Sequence, residues 1–574
     1  MNDMHMPRYT LADYETTFAD RHLLHGVVAK WAAAKPNATA VLSADGGRTL
    51  TWSEFDRHTT ALAVELLRLG FKKSDFLVTQ LPLTVDHVLL EYACFKIGVI
   101  FAPIDLRLAA GEVVRALEIL RPRGFVGLGV AAPFDFRGNW TAVQECCKWI
   151  EHLFAVSSEA IAGTRALAEI TEPARKAVES GTVAVPAEFE KATATITPDD
   201  GALVIFTTGS TGSPKPALLS HRNITIQNMC MSEAIFGGDL GLRTLVHLPP
   251  SHVGCQTEMM MSTLFGGGSV VLLEIFDPGK TMRAIQQHGV QIFAQIPAMF
   301  NLVWMLKNYG QYDLSSIKLV AFGGNSVSGA FVDRVAGMAP LVGTGLGLTE
   351  CAGFCTYALV KSGDHAPLAT GVGVDMPVYP CTVRQPMRED GTAGDELLDG
   401  EIGHVCFRGP QTFLGYVNDP EATAKAISRD GYLYTGDLGI KDAAGLRLTG
   451  RAKWVIKSFG HQIYPGDVES HISTLTEKVA NCVVVGAPHE VVSEGVVALV
   501  EKKPAVELSE KELNQLTRSL PPYMRPRHWI ILEPGTMPLN RLAKPDYLRA
   551  QEMARQEVEQ LRARGEWDSR HVAN

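Results

Sequence analysis

The sequence predicts an α/β protein with mostly parallel sheets, and three observations carry that expectation. Short apolar runs alternate with stretches of helical apolar period: Phe76 to Leu81, Val99 to Ala102, Ala202 to Phe206, Leu245 to Leu248, Val270 to Leu273, Gln291 to Gln295 and Ile317 to Phe322. Such alternation marks strand–helix–strand units whose sheets are covered on both faces. At 574 residues the chain is too long for one core, so two or more domains are expected. Finally, the loops that gather glycines, hydroxyls and charges each follow one of the strand runs. Open α/β sheets bind ligands there, beyond the carboxyl ends of their strands.

The elements can be justified in order. Thr51-Trp52-Ser53-Glu54 has the spacing of a capping box, and the helical period after it runs to Leu69, with Gly70 as the stop. Strand Phe76 to Leu81 is followed by a helix ending near Gly98, then by Val99 to Ala102, which stops at Pro103. Helical patterns cover Ala142 to Phe154 and Glu159 to Glu179, but residues 125 to 198 hold no motif and read as decoration. Late strands are expected near Cys482 to Gly486 and Val496 to Val500, and Tyr547 to Arg564 reads as a charge-rich surface helix.

Composition excludes several function classes. Apolar residues make up 46%, mean hydropathy is near zero, and the net charge is −9 without a dense basic run. That describes an ordinary globular chain for which nucleic acid is not an expected partner. The most apolar stretch, His87 to Ile104, is broken by Glu91 and Lys96, so no membrane span is expected. Met1 to Thr10 lacks the apolar core of a signal peptide. The ten cysteines show no paired C-x-x-C units and read as free thiols of a cytoplasmic protein.

The most telling stretch is Thr207-Thr208-Gly209-Ser210-Thr211-Gly212-Ser213-Pro214-Lys215, directly after the buried run Ala202 to Phe206. Two glycines let backbone N–H groups turn inward, while hydroxyls and an ammonium add donors, as a polyphosphate requires. The same residue types also make ordinary surface turns. The loop lacks the Gly-Lys-Ser/Thr of a Walker A motif, so it is a phosphate loop of another kind.

This loop resembles the signature of the adenylate-forming superfamily of acyl-CoA synthetases, peptide-synthetase adenylation domains and luciferases, except that Pro216 stands where the family has glycine. Further motifs follow in the family's order. Ala93 to Ile104 resembles an early structural segment, and Pro249 to Gly254 resembles the segment whose His252 and Gly254 line the acyl pocket. Phe322-Gly323-Gly324-Asn325-Ser326 resembles the loop beside the adenine, which implies that Gly324 and Asn325 lie there. Thr344-Gly345-Leu346-Gly347-Leu348-Thr349-Glu350 resembles the next motif, with Leu346 in place of a tyrosine that packs on adenine. The resemblance implies nucleotide contact by Gly345, Leu346 and Gly347, α-phosphate contact by Thr349, and Mg²⁺ binding by Glu350. Tyr432 to Asp437 with Gly450-Arg451 implies ribose binding by Asp437 and Arg451.

The resemblance also implies a large N-terminal AMP-binding domain, residues 1–452, and a small mobile α+β domain, residues 453–574. Lys453 is then the hinge, Lys457 and Gly460 belong to the cofactor-binding set, and Gly460 flanks the pantetheine tunnel. Pro538 to Lys544 resembles the motif that ends in the catalytic lysine, with Asn540 and Ala543 as departures. The implied activity is an ATP-dependent carboxylic acid–CoA ligase, with ATP, CoA and Mg²⁺ as cofactors and Lys544, Glu350, Thr349 and Lys215 as its catalytic set. The expected partner is a small carboxylic acid, short and branched or hydroxylated, and a homodimer stays open. Two rivals are an adenylating enzyme that loads a carrier protein and a non-catalytic relative. Met229 to Phe236 offers Glu233, but no aspartate to hold an amino acid's amine, which favours CoA.

Overall fold

The computed structural model describes residues 9–207, 214–234, 241–324, 327–361, 363–540 and 544–568. Two large sheets share one core. The first runs, edge to edge, through Thr49–Thr51, Thr39–Ser43, Ser269–Leu272, Arg243–Val246, Ile292–Gln295, Leu319–Gly323, Leu341–Gly345, Thr356–Val360 and Val374–Asp375. Its centre is parallel, and only the first strand and the last two pair antiparallel. The second sheet runs through Gly415–Tyr416, Pro216–Ser220, Gly201–Phe206, Ile100–Pro103, Phe76–Gln80, Gly124–Leu128, His152–Val156 and Arg165–Ala166.

Strand side chains alternate faces, and the packing follows. Ile292 and Leu77 enter the core shared by the two sheets, whereas their neighbours Phe293 and Val78 enter separate outer cores. Helix Trp52–Arg68 fills part of the shared core, capped by the reciprocal Thr51–Glu54 pair expected from the sequence. A third, antiparallel sheet joins Cys381–Arg384, Gly403–Phe407, Leu433–Asp442 and Gly445–Arg451. The last sheet contains Ile456–Ser458, His461–Ile463, Val479–His489 and Ser493–Lys502, with His528–Leu532 running parallel to Ser493–Lys502.

Three expectations need correcting. The helix expected over Ala142 to Phe154 spans Arg137–Cys146, and His152–Val156 is a strand. Trp149, Ile150, Leu153 and Phe154 continue a helical period, but Leu153 and Phe154 pair in parallel with Phe125 and Val126, so tertiary pairing overrides local pattern. The helix expected from Glu159 starts at Ala168, because Arg165–Ala166 adds to the same sheet edge. Within residues 125 to 198, then, strand residues 125–128 and His152–Val156 belong to the sheet rather than to decoration. Phe125 and Phe154 are each 1% exposed, and burying a large apolar side chain contributes roughly 1.5–3 kcal/mol.

The final helix, Tyr547–Ala563, is more than a surface helix. Ala550, Ala554, Val558 and Leu561 form a buried stripe against Val483, Val485 and Val497 of the last sheet, and its charges face outward. No described helix is long and apolar enough to cross a membrane, and all ten cysteines are free.

Candidate active site

The motifs converge where the sheet geometry predicts. Strand Gly201–Phe206 delivers Thr207, whose N–H donates to the Lys215 carbonyl at 2.8 Å while its hydroxyl accepts from the Lys215 N–H at 3.4 Å. Thr208, Gly209, Ser210, Thr211 and Gly212 lie outside the described residues. Pro216 opens the return strand opposite Phe206, and a first strand position tolerates proline. The loop therefore closes through Thr207 and Lys215 despite the departure from the family pattern.

Leu341–Gly345 ends at Leu346, which is buried, with its N–H donating to the Thr356 hydroxyl at 3.0 Å. Beyond it, Thr349 and Glu350 sit half-buried on a short 3-10 turn. One Glu350 carboxylate oxygen accepts from the Tyr416 hydroxyl at 2.6 Å. The ring of Tyr416 lies under the Lys215 ammonium at 5.2 Å. Tyr416 thus ties Lys215 to the Glu350 carboxylate, a link that spacing alone did not reveal.

Asp437 faces Arg451 across a strand pair, and its Oδ1 accepts from the Arg451 Nε at 2.8 Å. Its Oδ2 is buried without a hydrogen-bond partner. Burial raises the Asp437 pKa, while Arg451 opposes that shift. A buried carboxylate oxygen left unpaired is costly, and it can still accept a hydrogen bond.

Lys544 reaches the same chamber from the far end of the chain. A Cβ added to Gly324 would lie 3.3 Å from its Nζ, and Gly324, at φ +92°, holds a backbone that an L side chain resists. Burial lowers the Lys544 pKa, the charge of Arg451 adds to this, and Glu258 and Asp437 oppose it. His252 accepts from the Gly254 N–H through Nδ1 at 3.0 Å. Burial and the Lys544 charge lower its pKa to about 4, so it is neutral at physiological pH. A neutral ring whose Nδ1 accepts carries its proton on Nε2, which suits a pocket wall.

Glu258 was missed by motif reading. It lies within the π-helical turn Gly254–Met261, a geometry frequent at functional sites. A lone acid inside the run Cys255 to Met261 was the available signal, because carboxylates are seldom buried without purpose. By contrast, the structure does not bring Lys457 and Gly460 into the chamber. They flank Ser458 and Phe459 at an exposed hairpin turn, and the Lys457 N–H donates to Glu494 at 2.7 Å. Lys453 is exposed, with its ammonium 4.8 Å above the Trp454 ring.

The pattern of the family described as AMP-binding enzyme matches residues 28–417, more than half of the chain. The chain belongs to that family. The AMP-binding enzyme C-terminal domain pattern matches residues 467–544. Among curated relatives, a feruloyl-CoA synthase from Amycolatopsis sp is 29% identical over 461 residues, covering 80% of this chain and 84% of that protein. A 4-coumarate–CoA ligase from Pinus taeda is 23% identical over 523 residues, covering 89% and 91%. The fold is shared with ATP-bound MatB from Rhodopseudomonas palustris, at TM-score 0.75, 21% identity and coverage of 93% and 99%. It is also shared with the amide bond synthetase McbA from Marinactinospora thermotolerans, at TM-score 0.77, 22% identity and coverage of 93% and 100%. This AMP-binding enzyme thus has the family's fold along nearly its whole length.

Proposed function

We propose that this chain is an ATP-dependent carboxylic acid–CoA ligase that forms an acyl-adenylate and then an acyl-CoA thioester. The observation that carries the reading is the meeting of Lys544 with Gly324, Asp437 and Arg451 in one chamber. In the first step a carboxylate oxygen of the acid attacks the α-phosphorus of ATP, and the bond to pyrophosphate breaks. In the second, the sulfur of CoA attacks the acyl carbon, its proton is released, and AMP leaves. The first step needs positioning and charge neutralisation more than proton transfer. Asp437 and Arg451 would hold the ribose, Lys215 and Thr349 the phosphates, and Lys544 would face the reacting carboxylate and α-phosphate. His252 and Gly254 would wall the acid pocket.

Mg²⁺ fits Glu350. This ion is commonly held by one or two carboxylates plus substrate phosphates rather than by an all-protein cage. Glu350 has one oxygen on Tyr416, and no cluster of three ligating side chains occurs among the described residues. When bound, the ion would neutralise phosphate charge.

The two-domain division at Lys453 belongs to the same reading, as do the hinge and the approach of CoA along Lys457 and Gly460. So does a cytoplasmic location, in keeping with ten free thiols. A homodimer would show in light scattering as twice the chain mass. The deciding experiment is pyrophosphate release from ATP with a panel of acids, with and without CoA. Acid-dependent release followed by CoA-dependent thioester is expected. Release without any thioester would favour a carrier-loading or amide-forming enzyme, and no release at all would leave a non-catalytic relative.

A further inference from the structure

We propose that Glu258 is a specificity-determining acceptor in the acid pocket, so the enzyme takes a carboxylic acid whose far end carries a hydrogen-bond donor, either a hydroxyl or an ammonium group. This rests on the ligase reading and deepens it by naming the substrate class.

Glu258 is held among backbone atoms where other side chains would not fit. A Cβ at Gly347 would lie 2.6 Å from its Oε1, one at Gly353 would lie 2.8 Å from its Cγ, and one at Gly254 would lie 3.3 Å from its Oε2. Three glycines from two separate segments therefore clear the space this carboxylate occupies. The neighbours Gln256, Thr257 and Met259 on the same π-helical turn are buried, whereas Glu258 is half-buried. The hypothetical Gly254 Cβ would also lie 3.0 Å from His252 Nδ1, which puts the carboxylate on the wall that His252 forms.

The carboxylate is also unsatisfied. Among the described residues Glu258 makes no hydrogen bond and no ion pair, and its only electrostatic partner is Lys544. Burial raises its pKa to about 7, and the Lys544 charge opposes that shift. A half-buried, unsatisfied acceptor with the Lys544 ammonium as its electrostatic partner describes a site with two complementary poles. The acid's carboxylate would face Lys544, and a donor at its other end would face Glu258. A site built to hydrogen-bond a substrate group discriminates strongly against the analogue lacking it, because its own polar group is then stranded.

The test uses two sets of matched acids: butanoate, 3-hydroxybutanoate and 4-aminobutanoate, and benzoate, 4-hydroxybenzoate and 4-(aminomethyl)benzoate. Pyrophosphate release gives kcat/KM for each acid, and the readout is the ratio of a donor acid to its unsubstituted parent. In the wild type at least one donor acid should exceed its parent by about tenfold or more. Glu258→Leu should lower that ratio by about tenfold or more. The near-isosteric Glu258→Gln should keep the preference for a hydroxyl and lose that for an ammonium, because an amide still accepts but carries no charge. This identifies the donor, and Glu258→Ala, which also removes the acceptor, carries the test if the leucine variant fails to fold, as judged by ATP binding in calorimetry. If neither parent acid is exceeded by a donor analogue in the wild type, or if the preferred donor-to-parent ratio is unchanged in folded Glu258→Leu or Glu258→Ala, the inference is overturned. If both sets fail while dodecanoate releases pyrophosphate, the inference falls and the ligase reading stands. If no acid releases pyrophosphate, the ligase reading falls and takes this inference with it.

Discussion

Two carboxylates, buried Asp437 before Lys453 and half-buried Glu469 after it, are held in opposite ways. Asp437 is paired through one oxygen to Arg451 and keeps the other buried and unpartnered. Glu469, on helix Pro465–Ile472, has both oxygens within 2.7 and 2.9 Å of the Tyr547 hydroxyl, and one also accepts from the Val484 N–H at 2.8 Å. Both are raised in pKa by burial, Glu469 to about 7. What separates them most is how far their hydrogen-bonding positions are satisfied. A completed set of partners marks a carboxylate that fastens a helix, a strand and the final helix together, whereas an orphaned oxygen beside a fixed cation marks one that awaits a ligand.

The comparison extends to the regions themselves. The residues before Lys453 present their groups from strand ends in packed sheets, whereas the residues after it send one ammonium, that of Lys544, into the shared chamber. Breaking that single contribution should have the largest effect. Lys544→Ala is expected to slow adenylation by about 10²–10³-fold, as for loss of one electrostatic contact to a developing charge. It should convert supplied acyl-adenylate and CoA to thioester at close to the normal rate. Equal loss of both half-reactions would mean that the two regions do not alternate.

Next in size is the structural carboxylate. Because burial raises the folded pKa of Glu469 to about 7 from its ordinary value near 4.5, its contribution to stability is fully present below about pH 4.5 and is lost as pH rises through about 7. The span corresponds to on the order of 3–4 kcal/mol. Glu469→Gln should flatten the stability–pH curve across that window, measured by urea denaturation at each pH. An unchanged slope would mean that other groups carry it.

Asp437 sharpens the comparison from the other side. Asp437→Ala removes the waiting acceptor and leaves Arg451 without its ion pair, a loss of about 1.5–3 kcal/mol for a charged hydrogen bond. ATP affinity measured by calorimetry should fall about tenfold or more, with little change in the apparent affinity for the acid. Unchanged ATP binding would remove Asp437 from the site. The smallest effect is expected at Lys453, where Lys453→Pro restricts φ and should slow thioester formation while sparing adenylation. Equal slowing of both steps would make Lys453 a structural residue rather than a hinge.

The sequence by itself determined the parallel α/β architecture, the Thr51 helix cap and the order of the loops at the strand ends. These follow from apolar period and turn residues, which act over a few positions. It also placed Asp437 and Lys544 among the functional residues, though by likeness to a family rather than by chemistry visible at those positions. Tertiary structure alone decided that His152–Val156 is a strand, since its partner, Gly124–Leu128, lies far back in the chain and outweighs a local helical period. It alone tied Tyr416 to both Glu350 and Lys215, and set Glu258 against Gly347 and Gly353 of a distant hairpin. Local patterns are written in neighbouring residues, but the worth of a lone polar side chain depends on which distant groups fill, or fail to fill, its hydrogen-bonding positions.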